Sequence, residues 1–198
     1  PILQDIRENL IPQMRAQFPS VISTFEGQAR QGDRFAGSFL LAVPLLLIGI
    51  FLLITLEFRS FSQSFLIILM IPLGILGAAI GHWIEAKPLS ILSSYGIVAL
   101  SGVIVNDAVV FQDKFNRLLK SGHIVATAVF FAGKSRFRPI ILTSLTTVVG
   151  LFPLIRDTST TARFLVPMAI SVAYGVLLGT FFILTVFPAL IVIANDVR

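Results

Sequence analysis

The stretch GVIVNDAVVFQDK, Gly102–Lys114, decides how this chain is read. Eight of its first ten residues are at home in hydrocarbon, yet Asn106 and Asp107 stand among them. Followed outward, the apolar run reaches back to Pro88 and on to Gln112, with Asp107 its single charge. At about 1.5 Å per residue a helix of that length crosses the roughly 30 Å of a bilayer interior. The run is therefore a membrane span with a carboxyl in it. An Asp near the centre of such a helix costs about 2.5–3.5 kcal/mol, a cost offset by an interior-facing position, a partner or a proton.

The rest of the chain agrees. Of 198 residues, 56% are hydrophobic and only 13% charged, and the mean hydropathy is +0.92. That charge content is about half the share of a soluble domain, which places the chain among membrane proteins. With no cysteine, disulfides and thiolate metal sites are excluded. Four more uncharged runs can span: 38–56, 61–84, 139–155 and 164–194, beside 88–112. Prolines 44, 72, 153, 167 and 188 fall inside them, which spans tolerate where neighbouring helices re-satisfy the backbone. The expected fold is an all-α membrane protein of five transmembrane helices.

Charge placement gives orientation. The loop between the third and fourth spans carries Lys114, Arg117, Lys120, Lys134, Arg136 and Arg138 against the single acid Asp113. By the positive-inside rule it is cytoplasmic, which puts the C-terminus inside and residues 1 to 37 outside. On this assignment the inside holds eight Lys+Arg and three acids, the outside seven and six. The net charge of +5 is thus a topology signal and no nucleic-acid patch. Residues 1–35 read as the tail of an extramembrane domain, a short α/β remnant: a helix over Asp5 to Ala16 and a strand over Ser20 to Phe25. Residues 36–198 are the transmembrane domain. Between spans, residues 121–138 read as an amphipathic connector on the inner leaflet. The chain opens on Pro1 without a signal peptide, and reads as a piece of a longer protein.

Asp107 is the one residue whose chemistry asks for a function. In a dry bundle it could take a proton from one side and release it to the other, switching the helices around it. It could equally hydrogen-bond a neighbouring helix, or snorkel toward Lys114 on the same face. Asn106 fits interhelical amide bonding. On the fourth span Thr143, Thr147 and Gly150 share a face, where hydroxyls either relay a proton or bond back to their own carbonyls. Gly77-x-x-x-Gly81 and Gly175-x-x-x-Gly179 permit close helix contact. His82 and His123 lack ligand companions, and no phosphate loop or nucleophile triad is present. Neither an enzyme nor a resident cofactor is implied.

The chain resembles the C-terminal membrane half of resistance-nodulation-division (RND) efflux transporters, of the hydrophobe/amphiphile branch. The residues that carry the resemblance are FEGQAR (Phe25–Arg30), EFRSF (Glu57–Phe61), IPLGILGAAIGHW (Ile71–Trp83), GIVALSGVIVNDAVVFQDKFN (Gly96–Asn116) and SRFRPIILTSLTTVVGLFPL (Ser135–Leu154). The resemblance implies spans eight to twelve of a twelve-span, two-half transporter, with residues 1–35 ending its periplasmic porter domain. It implies a homotrimer in the bacterial inner membrane, joined by the N-terminal half, a periplasmic adaptor and an outer-membrane channel. The energy source would be the proton gradient, exchanged for drugs or amphiphiles in multidrug resistance. Site residues implied by position are a proton relay of Asp107, Asn106, Thr143 and Arg136. Asn106 departs from the Lys that well-known members place there opposite two Asp of the fourth span. Alternatives are an RND relative exporting metal ions or lipids, against which the lack of Met pairs and His clusters in the spans leans, and a non-transporting scaffold in which Asp107 only bonds helices together.

Overall fold

The computed structural model describes Ile11, residues 28–159 and residues 162–196. Among these, every regular element is a helix: α1 (Gln28–Phe58), α2 (Phe61–Ile68), α3 (Met70–Ile84), α4 (Ile91–Lys120), α5 (Val125–Arg156) and α6 (Ala162–Asp196). The chain forms two compact units, Pro1–Leu41 and Ala42–Arg198. In the first, the described residues are Ile11 and the opening turns of α1, all helical. The helix and strand expected over residues 5–25 otherwise lie outside the described residues.

Five stretches are long and apolar enough to cross a membrane: Phe39–Phe58, Phe61–Ile84, Ile91–Lys120, Val125–Arg156 and Ala162–Asp196. They carry large apolar side chains outward, among them Leu52, Leu56, Phe65, Trp83, Phe152 and Phe181. A water-soluble domain does not expose apolar surface on this scale; helices solvated by lipid do.

Several boundaries have identifiable causes. The second span is broken between Ile68 and Met70. Pro72 explains the break, because its ring displaces the carbonyl four residues back, that of Ile68. The third span starts at Ile91 rather than at Pro88. Ser90 caps it, accepting from the Ser93 amide at 3.3 Å while the Ser93 hydroxyl accepts from the Ser90 amide at 3.1 Å, a reciprocal capping box. It runs on past Gln112 to Lys120, where Gly122, at φ +90°, turns the chain back; glycine takes that conformation without steric cost.

The amphipathic connector expected over 121–138 is not a separate element. From Val125 the chain is already α5, which continues unbroken through Pro139 to Arg156. Basic residues and phenylalanines share these first turns, so their pattern mimics a surface helix.

In the second unit α6 is the hub, packed along α3, α4 and α5. Small residues set the approach. A methyl group on Gly77 of α3 would stand 2.8 Å from the Tyr174 carbonyl oxygen and 2.7 Å from Leu178 Cβ, both on α6. The inner face of α4 fills the space between, with Leu100, Ile104, Ala108, Phe111 and Phe115 buried.

Candidate functional site

Asp107 lies on the inner side of α4, 8% exposed, between Ile104 and Phe111. One turn further on, the Phe111 ring meets Phe187 of α6 edge-on at 5.6 Å and lies against Gly133 of α5. Its carboxyl has Asn106 as its neighbour along the chain. No ion pair reaches it among the described residues; the two present are Arg117–Asp113 and Arg156–Glu85. Lys114 is therefore not its partner, and the side chain does not snorkel to the surface.

The other three residues of the expected relay are placed differently. Asn106 is exposed, on the stripe of α4 that also carries Ala99, Gly102 and Val103. Thr143 is exposed on α5, its hydroxyl donating to the Ile140 carbonyl at 2.9 Å. Thr146 and Thr147 likewise donate to carbonyls of their own helix. Arg136 is half-buried, and its Nε is enclosed without a hydrogen-bond partner among the described residues. No hydrogen bond among the described residues joins Asp107 to Thr143 or Arg136.

Parts of α4 and of α5 are uncovered in this chain. A methyl group added at Gly102 of α4 or Gly150 of α5 would meet nothing within 4 Å. Asn106 and Thr143 stand on those same uncovered faces. Within this chain, then, Asp107 is buried, whereas Asn106 and Thr143 face outward.

Buried polar pairs whose partners the sequence reading did not name lie elsewhere. Ser144 donates to the Ile140 carbonyl and shares a short hydrogen bond with Thr180 of α6. Gln63 of α2 and Asn116 of α4 exchange amide hydrogen bonds of 3.2 and 2.9 Å, and Gln112 donates to Asn116 at 3.2 Å. Gln112 is only 1% exposed, and its Oε1 has no partner among the described residues. These amides sit on the α2 side of α4, about 140–180° round the helix from Asp107, so they tie helices together rather than extend its surroundings. At the opposite end His82 lies between the Ser171 hydroxyl and the Lys87 carbonyl. Glu85 there accepts from the Tyr174 hydroxyl at 2.7 Å and faces Arg156 at 3.5 Å. Only His82 drew notice in the sequence; isolated Ser and Thr within long apolar runs carry no signal of which neighbour they face.

Five helices long and apolar enough to cross a bilayer define a polytopic membrane protein. The chain belongs to the AcrB/AcrD/AcrF family, which it matches over residues 5–195, and is thus a piece of an RND transporter. It is 31% identical over 153 residues to the cobalt-zinc-cadmium resistance protein CzcA of Cupriavidus metallidurans, covering 77% of this chain and 14% of that one. With protein HelA of Legionella pneumophila it shares 32% over 168 residues, 84% of this chain and 16% of that one. The multidrug resistance protein MdtC of Photorhabdus laumondii is 25% identical over 182 residues, 91% and 18% of the two chains. A crystal structure of a heavy metal efflux pump superposes with TM-score 0.78 over 93% of this chain and 19% of the other, at 24% identity, a likeness of fold. The chain spans only 14–18% of the length of these curated relatives.

Proposed function

We propose that this chain is the C-terminal membrane portion of a proton-driven exporter, in which Asp107 is the group that gains and loses the proton. The observation that carries the reading is the burial of Asp107 at 8% exposure, inside apolar helices and without a cation among the described residues to fix its charge. Enclosure by hydrocarbon disfavours an unpaired charge. The neutral and ionised forms therefore favour different packings, and a proton that enters from one side and leaves on the other drives the exchange. One charge moved through 100 mV supplies about 2.3 kcal/mol, enough to bias a two-state bundle.

Asn106, Thr143 and Arg136 complete the relay once the uncovered faces of α4 and α5 are closed by the N-terminal half of the transporter. In this reading the basic loop around Arg117–Arg138 is cytoplasmic in the bacterial inner membrane. The working unit is a trimer with a periplasmic adaptor and an outer-membrane channel.

Cargo divides into two readings. Drugs or amphiphiles fit the relatives named for multidrug resistance. Metal ions are favoured by the higher identity to the cobalt-zinc-cadmium protein, 31% against 25%. Susceptibility of cells to both cargo classes, with and without the transporter, separates them. Asp107→Asn in the full-length transporter tests the coupling: export collapses while expression and assembly persist. Unchanged export would reduce Asp107 to a helix-bonding residue in a scaffold.

A further inference from the structure

Helices α5 and α6 leave a groove of about 440 Å³ between them, within the stretches long enough to span. That lies inside the roughly 300–1,000 Å³ range of ligand sites. Its walls are Phe137, Ile141 and Leu145 of α5 and Leu177, Phe181 and Leu184 of α6. The two hydroxyls at its contact line, Ser144 and Thr180, are spent on each other. What remains is an apolar slot open to the side.

Charge sits at one end of it. Lys134 precedes Phe137 by three residues and Arg138 precedes Ile141 by three, so both bases share the groove's face of α5. Both are exposed, and neither has an ion pair among the described residues. Asp196, the acid near the C-terminal end of α6, forms no ion pair with either base among the described residues. Thr185, the third hydroxyl of the lining, donates to the Phe181 carbonyl of its own helix, so it too leaves the slot without a free donor.

We infer that this groove binds an anionic phospholipid, with one acyl chain along the Phe137–Phe181 walls and its phosphate held between Lys134 and Arg138. Two unpaired cations at the mouth of a chain-width apolar slot match that ligand in both parts. The inference goes beyond the transport reading and stands whether or not Asp107 cycles a proton.

The test is lipid retention. The transporter is purified from membranes containing phosphatidylglycerol and phosphatidylethanolamine, and bound lipid is counted by native mass spectrometry. Phosphatidylglycerol is retained at least tenfold over phosphatidylethanolamine. Lys134→Gln with Arg138→Gln removes that preference, and Leu177→Trp, which fills the slot, lowers phosphatidylglycerol retention by a similar factor. Arg117→Gln with Lys120→Gln, on α4 away from the slot, changes nothing. The two Gln pairs alter only exposed or half-buried surface side chains, so their comparison holds even if the Trp variant fails to fold. Equal retention of the two lipids, or a preference untouched by the Lys134 and Arg138 changes, overturns the inference. So does a Phe181→Cys variant that cross-links to another protein segment instead of to a reactive acyl chain.

Discussion

His82 of α3 and Ser171 of α6 are hydrogen-bonded across the helix interface, Nε2 to Oγ at 3.0 Å. On its other side the ring places Nδ1 3.1 Å from the Lys87 carbonyl. A carbonyl only accepts, so Nδ1 carries hydrogen, and in the neutral ring Nε2 accepts the one Ser171 hydroxyl hydrogen, for which the Pro167 carbonyl at 3.2 Å competes. Nitrogen-15 NMR should therefore find the Nδ1–H tautomer at His82. Ser171→Ala removes one buried partner and should cost about 1 kcal/mol in an unfolding titration. An Nε2–H tautomer would contradict this geometry.

Gly77 sets the separation of α3 and α6. Because backbone as well as side-chain atoms of α6 stand under 3 Å from any added methyl group, the helices must part to admit one. Gly77→Val should destabilise by about 1–3 kcal/mol through overpacking. Gly49→Ala, with nothing within 4 Å, should be near neutral. Equal stability of the two variants would show that α3 and α6 do not approach in this way.

Ser144 and Thr143 are neighbours with opposite fates. Ser144 is buried against Thr180, while Thr143 faces outward and bonds its own helix. Ser144→Ala should lower stability by about 1 kcal/mol by orphaning Thr180; Thr143→Ala should stay within about 0.5 kcal/mol. If Thr143 serves the relay, its loss appears in transport assays and not in unfolding.

At the His82 end of the bundle, Glu85 holds two partners of unequal worth. Its pair with Arg156 spans 3.5 Å, with the arginine side chain 60% exposed, and exposed pairs contribute little. The 2.7 Å hydrogen bond from Tyr174 is short and charge-assisted. Tyr174→Phe should thus cost more, about 1–2 kcal/mol, than Arg156→Gln, at under about 0.5 kcal/mol. The reverse order would mean that the ion pair, rather than the phenol, braces this end.

What could be read in advance follows from how strongly the bilayer constrains a sequence. An uncharged run must lie in hydrocarbon and must be helical there, so all five spans were legible. That Asp107 needs an inward face, a partner or a proton was legible for the same reason, since lipid-facing acids are costly. Helix rotation was not. Ser144 and Thr143 differ by about 100° round α5, and nothing in SLTT or LTSL says which hydroxyl meets α6. The break at Leu69 was missed because the proline responsible lies three residues beyond it. The start of α5 was hidden by its phenylalanines and bases, which read as a surface helix until the continuous backbone through Pro139 is seen. The Glu85–Tyr174 and Gln63–Asn116 bonds join residues far apart in sequence, so periodicity along one helix could not reveal them.

The central claim is that Asp107 changes protonation as the bundle works. Difference infrared spectroscopy on the transporter in membranes, with a proton gradient imposed, measures this directly. The account predicts a carboxyl C=O band that appears and disappears with the gradient and is missing in Asp107→Asn. A spectrum in which that band never changes during turnover, in a transporter that still exports, would contradict it.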